Sequence, residues 1–266
     1  MLIDFHTHAF PDKLAERALG TLAVKVRMIP ETNGSIAGLL EAMDRCGVDR
    51  SVVCNIATNA RQMTNVNNFA IETLRMYGDR LTPLGSINPQ AERQSEEIER
   101  LRNAGIPGLK LHPDYMGYRI DDSVYDEIFD TASELGMFII IHAGFDVYSP
   151  GKVWAPPEAV RKRLEKSPGT TLICAHFGGN MMWTEVEEKL LGRNLYIDTS
   201  MGYLEGLSRE QASRMLNKHD SDRILFGSDC PWSNPGETFR YVDSLSITDE
   251  LKEKIFYRNA SELLNL

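Results

Sequence analysis

Two histidines near the start of the chain, His6 and His8, are the residues whose types and spacing most directly suggest chemistry. They end a short apolar segment, residues 2–8, that is typical of a β-strand, and alternate residues of a strand point to the same face. Neutral imidazole is a common protein ligand for transition metals. The pair therefore predicts part of a metal site on a rigid strand, although two histidines can also simply pack or hydrogen-bond.

The scaffold that would position these rings is predicted by a regular alternation of short β-branched segments with amphipathic ones. Helical patterns such as 36–46, 66–77, 91–103 and 123–135 lie between eight predicted strands, which are residues 2–8, 51–57, 82–88, 108–112, 137–143, 171–177, 195–200 and 224–229. Eight such repeats in 266 residues predict a single-domain α/β protein, a closed (β/α)8 TIM barrel over residues 1–266, with an open doubly wound sheet as the alternative.

Most of the remaining histidines also fall at strand ends. His112 ends the fourth predicted strand, His142 and His176 lie near the ends of the fifth and sixth, and Asp229 ends the eighth. All strand C-termini of a parallel barrel open onto one face, so these side chains are expected to converge on one mouth. The sixth histidine, His219, lies in a charged, surface-like turn and is expected to be structural.

Two long connections interrupt the alternation, residues 10–34 after the first predicted strand and residues 144–157 after the fifth. Connections that follow barrel strands lie on the face where active sites form, so both are expected to act as a lid or a substrate wall. Trp154, in the second connection, is the aromatic residue that we expect to contact substrate.

Composition excludes several classes of partner. A net charge of −9 with no Lys/Arg cluster argues against nucleic acid and favours a small-molecule substrate. No apolar segment is long enough to span a membrane and no signal peptide is recognisable, so we expect a cytoplasmic protein with no membrane partner. The four cysteines form no CxxC pair, so we expect neither a disulfide nor a cysteine zinc site. A homodimer is the default expectation for the oligomeric state.

Four sequence motifs together resemble the amidohydrolase superfamily of metal-dependent barrels. They are IDFHTH at residues 3–8, AHFGG at 175–179, FGSDCP at 226–231 and YRNA at 257–260. The resemblance spans the whole chain and is closest to the amidohydrolase-related branch, which includes aminocarboxymuconate-semialdehyde decarboxylase. It implies a TIM barrel with a divalent metal at the strand C-termini.

The resemblance assigns metal ligation to four residues, His6, His8, His142 and Asp229, with water in an open position. Zn²⁺ is the default ion for this ligand set, while Mn²⁺, Fe²⁺ and Co²⁺ would accept the same ligands. Such an ion lowers the pKa of a bound water to about 7. Asp229 would then also accept a proton, and His176 would be a second proton carrier or an oxyanion stabiliser.

The fourth predicted strand leaves two interpretations open. Lys110 and His112 share one face of it. Other branches of the superfamily use a carboxylated lysine here to bridge two metals, whereas an uncarboxylated Lys110 would meet a substrate carboxylate. The branch resemblance favours one metal, and we expect His112 to line the substrate pocket.

These observations predict a metal-dependent hydrolase of a small amide, ester or lactone. The alternative is a non-oxidative decarboxylase of a small unsaturated or aromatic acid, for which Arg27, Arg61 and Arg119 are candidates to grip a carboxylate. A phosphodiesterase acting on nucleic acid is disfavoured by the acidic balance, and a barrel that only binds a small molecule is the non-enzymatic alternative.

Overall fold

Eight parallel strands alternate with helices in the computed structural model, which describes residues 1–266. The strands are β1 (Ile3–Thr7), β2 (Arg50–Val53), β3 (Leu81–Pro83), β4 (Gly108–Leu111), β5 (Phe138–Ile141), β6 (Leu172–Cys174), β7 (Tyr196–Asp198) and β8 (Ile224–Leu225). The helices are α1 (Asp12–Val26), α2 (Ile36–Cys46), α3 (Met63–Tyr77), α4 (Gln94–Asn103), α5 (Pro113–Met116), α6 (Asp126–Glu134), α7 (Pro157–Lys166), α8 (Trp183–Lys189), α9 (Arg209–Lys218), α10 (Pro235–Asp243), α11 (Asp249–Glu253) and α12 (Asn259–Leu264). The eight predicted strands are confirmed.

Each strand is shorter than the sequence pattern predicts, because the backbone leaves β geometry where the polar side chains begin. His176 and Asp229 both adopt positive φ, at 62° and 71°, just after β6 and β8. Non-glycine residues rarely occupy this region, and they concentrate at functional sites. Regular strand therefore ends before the residues that form the mouth.

The strands close into a ring. Regular pairing runs from β1 to β3 and from β4 to β8, and two isolated parallel bridges join the remaining edges, Thr7 to Cys230 and Gly85 to Leu109. At the second junction the Lys110 N–H donates to the Gly85 carbonyl at 2.8 Å. The closed (β/α)8 barrel is thus confirmed, and the open-sheet alternative is wrong.

The apolar residues form two layers that follow from strand alternation. In β5, Phe138 and Ile140 belong to a small cluster inside the ring. Ile139 and Ile141 belong instead to the large cluster between the ring and the helices. Because the interior below the mouth is filled by side chains, polar chemistry is confined to the C-terminal face.

A register shift in β1 brings its histidines to that face. Pairing with β2 is irregular between Asp4 and Thr7. Phe5 packs in the interior cluster, and in a regular strand its neighbour His6 would point to the opposite side. The shift lets Phe5 fill the interior while His6 and His8 both line the cavity above it.

The first long connection differs from its predicted form. Residues 10–34 contain helix α1, a helix of 15 residues, whereas the sequence predicts only a long connection here. Its acidic start at Asp12 and basic end at Lys25 suit the helix dipole. The second connection, residues 144–157, has no helix before Pro157 and is held by a bridge between Gly144 and Ala155.

His219 is structural, as predicted, but it is not on the surface. It is buried, and its ring joins two neighbouring segments, accepting from the Gly192 N–H at 3.1 Å and contacting the Leu195 carbonyl at 3.0 Å. None of the helices combines the length and the apolar character needed to cross a membrane.

Candidate metal centre

The C-terminal ends of the strands surround a cavity of about 880 Å³. Seven of the eight predicted site residues line it, namely His6, His8, Lys110, His112, His142, His176 and Asp229. The exception is Trp154, which is not among the lining residues; its ring lies under the ammonium of Lys152 at 3.3 Å. The predicted convergence of distant residues is therefore present, whereas a contact of Trp154 with substrate is not supported.

His6, His8 and Asp229 form one close group of possible metal ligands in the cavity. Asp229 Oδ1 lies 3.0 Å from His8 Nε2 and 3.5 Å from His6 Nε2. Ligand atoms about 2.0–2.1 Å from a tetrahedral ion are separated from one another by about 3.3 Å. Both distances from Asp229 Oδ1 are thus close to the separation of ligands that share one ion.

The hydrogen bonds behind these two rings favour the same conclusion. His8 Nδ1 donates to the Cys54 carbonyl at 2.8 Å, and His6 Nδ1 donates to the carboxylate of Asp198 at 2.8 Å. Because carbonyl and carboxylate oxygens only accept, both Nδ1 atoms carry a proton, so each ring in its neutral form has its bare nitrogen at Nε2. Two bare nitrogens then face a carboxylate oxygen that has no hydrogen-bond partner, which is an arrangement that a cation stabilises.

His142, the fourth predicted ligand, belongs to a second close group with His112 and Asp146. Asp146 Oδ2 lies 3.3 Å from His112 Nε2 and 3.6 Å from His142 Nε2. His142 Nε2 is buried and has no hydrogen-bond partner. Its free lone pair is available to an ion in the cavity, although His142 is not part of the group formed by His6, His8 and Asp229.

Lys110 lies between these two groups of possible ligands, in the polar part of the cavity that we call its floor. Its side chain is almost fully buried, and its Nζ lies 3.0 Å from His6 Nε2. A bare Nε2 has one lone pair, which accepts either from this ammonium or from a metal ion but not from both at once. Lys110 is therefore a positive charge inside the site and is the nearest cation to any substrate carboxylate placed beside His6.

Burial controls the charge of the cluster. It lowers the pKa of His6, His112 and His176, and it lowers the pKa of His142 to about 4. These rings are consequently neutral near pH 7, the form that binds metals. Burial opposes ionisation of Asp229, but positive charge beside it, on His6 and His8 in their protonated forms and on Lys110, lowers the pKa of its carboxyl below the usual value.

Sequence reasoning missed three polar residues around this cluster, Asp146, Asp198 and Ser200. Asp198 is the last residue of β7, and the strand-end rule that selected the histidines would have selected it as well. Asp146 lies in a connection without regular structure, where no sequence period indicates which side chain turns inward.

The upper cavity is largely apolar. Half of its 36 lining residues are hydrophobic, and helix α1 contributes Leu14, Leu22 and Val26 to the wall. Tyr115 stacks on His112 with ring centroids 4.0 Å apart, and Tyr148 meets Tyr115 edge to face. This wall suits a flat apolar ring placed above the polar floor.

The predicted carboxylate-gripping arginines are not at the cavity. Arg27, Arg61 and Arg119 are absent from its lining, where Arg17 and Lys25 of α1 are found instead. Arg119 forms an ion pair with Asp121 at 2.9 Å. The basic groups available to a substrate are thus Lys110 on the floor and the two side chains of α1.

Asp4 supports the site without lining the cavity. Its carboxylate accepts hydrogen bonds from the Ser228 backbone at 2.9 Å and from the Ser228 hydroxyl at 2.5 Å, and from the His6 backbone at 3.2 Å. It therefore ties the segment before Asp229 to β1 and brings Asp229 to the histidines.

A family profile and several solved structures are similar to this chain. The profile of the family described as Amidohydrolase matches residues 3–266, whereas no similar sequence was found among curated proteins. An uncharacterised TIM-barrel protein from Bordetella bronchiseptica is similar in structure, with a TM-score of 0.78, 22% identity, and coverage of 99% of this chain and 98% of that chain.

Two further similar structures are decarboxylases. One is 2,6-dihydroxybenzoate decarboxylase from Rhizobium, with a TM-score of 0.73, 16% identity, and coverage of 99% of this chain and 98% of that chain. The other is 5-carboxyvanillate decarboxylase from Novosphingobium aromaticivorans in complex with manganese and a nitrobenzoic acid, with a TM-score of 0.71, 16% identity, and coverage of 100% and 96%. At these identities the likeness establishes the shared barrel fold.

Proposed function

Because the chain belongs to the amidohydrolase family over residues 3–266, we propose that it is a metal-dependent enzyme that removes the carboxylate of a small aromatic or unsaturated acid as CO₂. The observation that carries this proposal is the cavity itself, in which an apolar, tyrosine-lined wall stands above a floor of neutral histidines, one ammonium and one unpartnered carboxylate. A ring fits the wall, and its carboxylate fits the floor.

The relatives support the same reading. Two structural neighbours are named as decarboxylases of hydroxylated benzoic acids, and one of them holds manganese. For this chain we propose a divalent metal held by His6, His8 and Asp229, with His142 as the fourth ligand. Zn²⁺ suits this donor set, and the related protein makes Mn²⁺ the first alternative.

Lys110 and Asp229 have different roles in the proposed reaction. A bound divalent ion supplies Lewis acidity toward substrate oxygens. The Lys110 ammonium pairs with the substrate carboxylate and holds it over the floor. Asp229, which is ionised, takes a proton from a hydroxyl or water at the site and passes it to the ring carbon that bears the carboxylate. The carbon–carbon bond then breaks, its electron pair restores the ring, and CO₂ leaves.

Hydrolysis of a small amide, ester or lactone is the second candidate. It is favoured by Asp229 Oδ1, a buried carboxylate oxygen with no hydrogen-bond partner, because such a group can take a proton from an attacking water. The polar floor of the cavity therefore suits either decarboxylation or hydrolysis, and the preference for a substrate must come from the apolar wall above it.

A paired assay separates the two reactions. Protein loaded with Zn²⁺ or Mn²⁺ is offered 2,6-dihydroxybenzoate and 5-carboxyvanillate, with CO₂ release followed by mass spectrometry, and in parallel a set of simple esters and lactones. We expect CO₂ release from at least one acid and no hydrolysis. Hydrolysis without CO₂ release would favour the second candidate.

Matched variants test the ligands. His8→Gln should abolish both metal content and turnover. His219→Gln removes a buried histidine that lies outside the cavity, and should keep both metal content and turnover. A homodimeric state and a cytoplasmic location also belong to this proposal, and light scattering of the purified protein tests the first.

A further inference from the structure

Two buried residues beside the cluster, Asp198 and Ser200, have no role in the reaction described above. Both are fully buried, and neither is among the residues that line the cavity. They therefore act on the site only through other side chains. Each oxygen of the Asp198 carboxylate leads to a different predicted metal ligand.

The first path is direct. Asp198 Oδ2 accepts from His6 Nδ1 at 2.8 Å. A proton fixed on Nδ1 leaves Nε2 bare, and Nε2 is the atom that faces Asp229. The carboxylate thus determines which nitrogen of His6 is available to an ion.

The second path runs through three side chains. Asp198 Oδ1 accepts from the backbone N–H groups of His176 and Ser200, at 2.9 and 3.0 Å, and from the hydroxyl of Ser200. Ser200 Oγ lies 2.8 Å from His176 Nδ1. His176 Nε2 lies 3.0 Å from His142 Nδ1.

Only one arrangement of protons satisfies this path. A hydroxyl has one proton, and Ser200 uses it on the carboxylate, so its oxygen accepts from His176 Nδ1. His176 Nε2 is then bare and accepts from His142 Nδ1. His142 Nε2 is left bare in the cavity, in agreement with its lack of any hydrogen-bond partner.

The reverse arrangement would be unfavourable at its first step. If Ser200 donated to His176, its oxygen would face Asp198 Oδ1 with no proton between two acceptors. The chain would then place a proton on His142 Nε2, where it would block metal binding. The acceptor oxygen of Asp198 at the buried end, which already receives two backbone N–H groups, therefore sets the direction of the whole path.

We propose that Asp198 and Ser200 are positioning residues that fix the tautomers of His6 and His142, so that both rings present a bare Nε2 to a divalent ion. The proposal rests on the proposed function for the identity of the ligands. It also assigns His176, whose two nitrogens are both engaged within the protein, to a positioning role through His142 rather than to contact with substrate.

Two substitutions separate the paths. In Asp198→Asn the amide oxygen still faces the two backbone N–H groups, so the amide nitrogen faces His6 Nδ1 and drives the ring proton to Nε2. The path to His142 is kept. Ser200→Ala breaks the path to His142 and removes a longer contact of Ser200 Oγ with His6 Nδ1 at 3.3 Å, but leaves the 2.8 Å bond between Asp198 and His6 Nδ1 intact.

The tautomers are read by long-range ¹H–¹⁵N NMR on the metal-free protein, with signals assigned by single histidine substitutions. We expect the proton on Nδ1 of both His6 and His142 in the wild type. Asp198→Asn should move it only in His6, and Ser200→Ala should change only His176 and His142. Each variant should weaken Zn²⁺ binding, measured by calorimetry, about 10- to 100-fold.

Two controls distinguish positioning from a general loss of structure. Ser200→Thr keeps a hydroxyl and should restore the wild-type tautomers. Ser233→Ala removes a buried hydroxyl that lies outside the cavity lining and bonds the Thr238 hydroxyl at 2.9 Å. It should change neither the tautomers nor the Zn²⁺ affinity.

A proton on His142 Nε2 in the wild type, or unchanged tautomers in both path variants, would overturn the inference. Failure of the wild type to bind any divalent metal would overturn the proposed function instead. The spectra of the metal-free protein would then still decide whether Asp198 and Ser200 set the tautomers.

Discussion

Ser86 offers a sharp test of how the barrel supports Lys110. It is fully buried, and its Oγ accepts from the Ala57 N–H at 2.9 Å and donates to the Lys110 carbonyl at 2.9 Å. One hydroxyl thus joins the segment after β2 to β4, at the strand that carries the buried ammonium. Ser86→Ala removes both bonds and changes little else in volume.

The cost of Ser86→Ala follows from the groups it leaves behind. Ala57 N–H has no other hydrogen-bond acceptor, and an unsatisfied buried donor costs about 1–3 kcal/mol. Loss of the bond to the Lys110 carbonyl adds about 1 kcal/mol. We therefore expect Ser86→Ala to lower the free energy of unfolding by about 2–4 kcal/mol, measured by urea denaturation.

Ser51→Ala is the matched control. Ser51 is also fully buried, but its Oγ has no hydrogen-bond partner. Removing an unpaired buried hydroxyl should leave stability unchanged or raise it by about 1 kcal/mol. Equal effects of the two substitutions would refute the reasoning, because the cost would then come from lost packing rather than from the orphaned N–H.

Three other outcomes are expected. Asp229→Asn should reduce bound divalent metal to below about a tenth of the wild-type content in elemental analysis. Lys110→Met should keep the metal but slow CO₂ release about 10- to 100-fold, since a charged hydrogen bond to substrate is lost. Burial lowers the pKa of His142 to about 4, so the folded protein binds fewer protons than the unfolded chain between about pH 6.5 and 4. Stability of the chelated protein should therefore fall as the pH is lowered through that range, and a flat profile of urea midpoints would contradict the assigned burial.

The strand-end rule explains why so much of the site was visible in the sequence. Histidines at the ends of apolar segments must share one face once those segments form a parallel barrel. His8 and His176 are 168 residues apart in sequence yet line one cavity. The rule needs only hydrophobic periodicity and residue type, both of which are local properties of the chain.

Other features depend on contacts that no local pattern encodes. The register shift in β1 depends on how β1 and β2 pair. The inward turn of Asp146 and the outward placement of Trp154 depend on the path of one connection. Helix α1 was not predicted, because residues 10–34 were expected to form a long connection. Their 15-residue helix places both apolar and basic side chains on the cavity.

The number of metal ions can be argued from the charge of the buried cluster. Three carboxylates lie within 3.6 Å of a histidine ring nitrogen of the cluster, those of Asp146, Asp198 and Asp229. At their ordinary charges, these three and the ammonium of Lys110 leave two negative charges among neutral histidines. Unbalanced charge in a buried site is costly. One divalent ion balances it, whereas two would leave an equal positive excess unless Lys110 became carboxylated. We therefore expect one ion per chain and an unmodified Lys110. Two ions per chain, with a mass increase of one CO₂ on Lys110, would show instead that this lysine is carboxylated and bridges two metals.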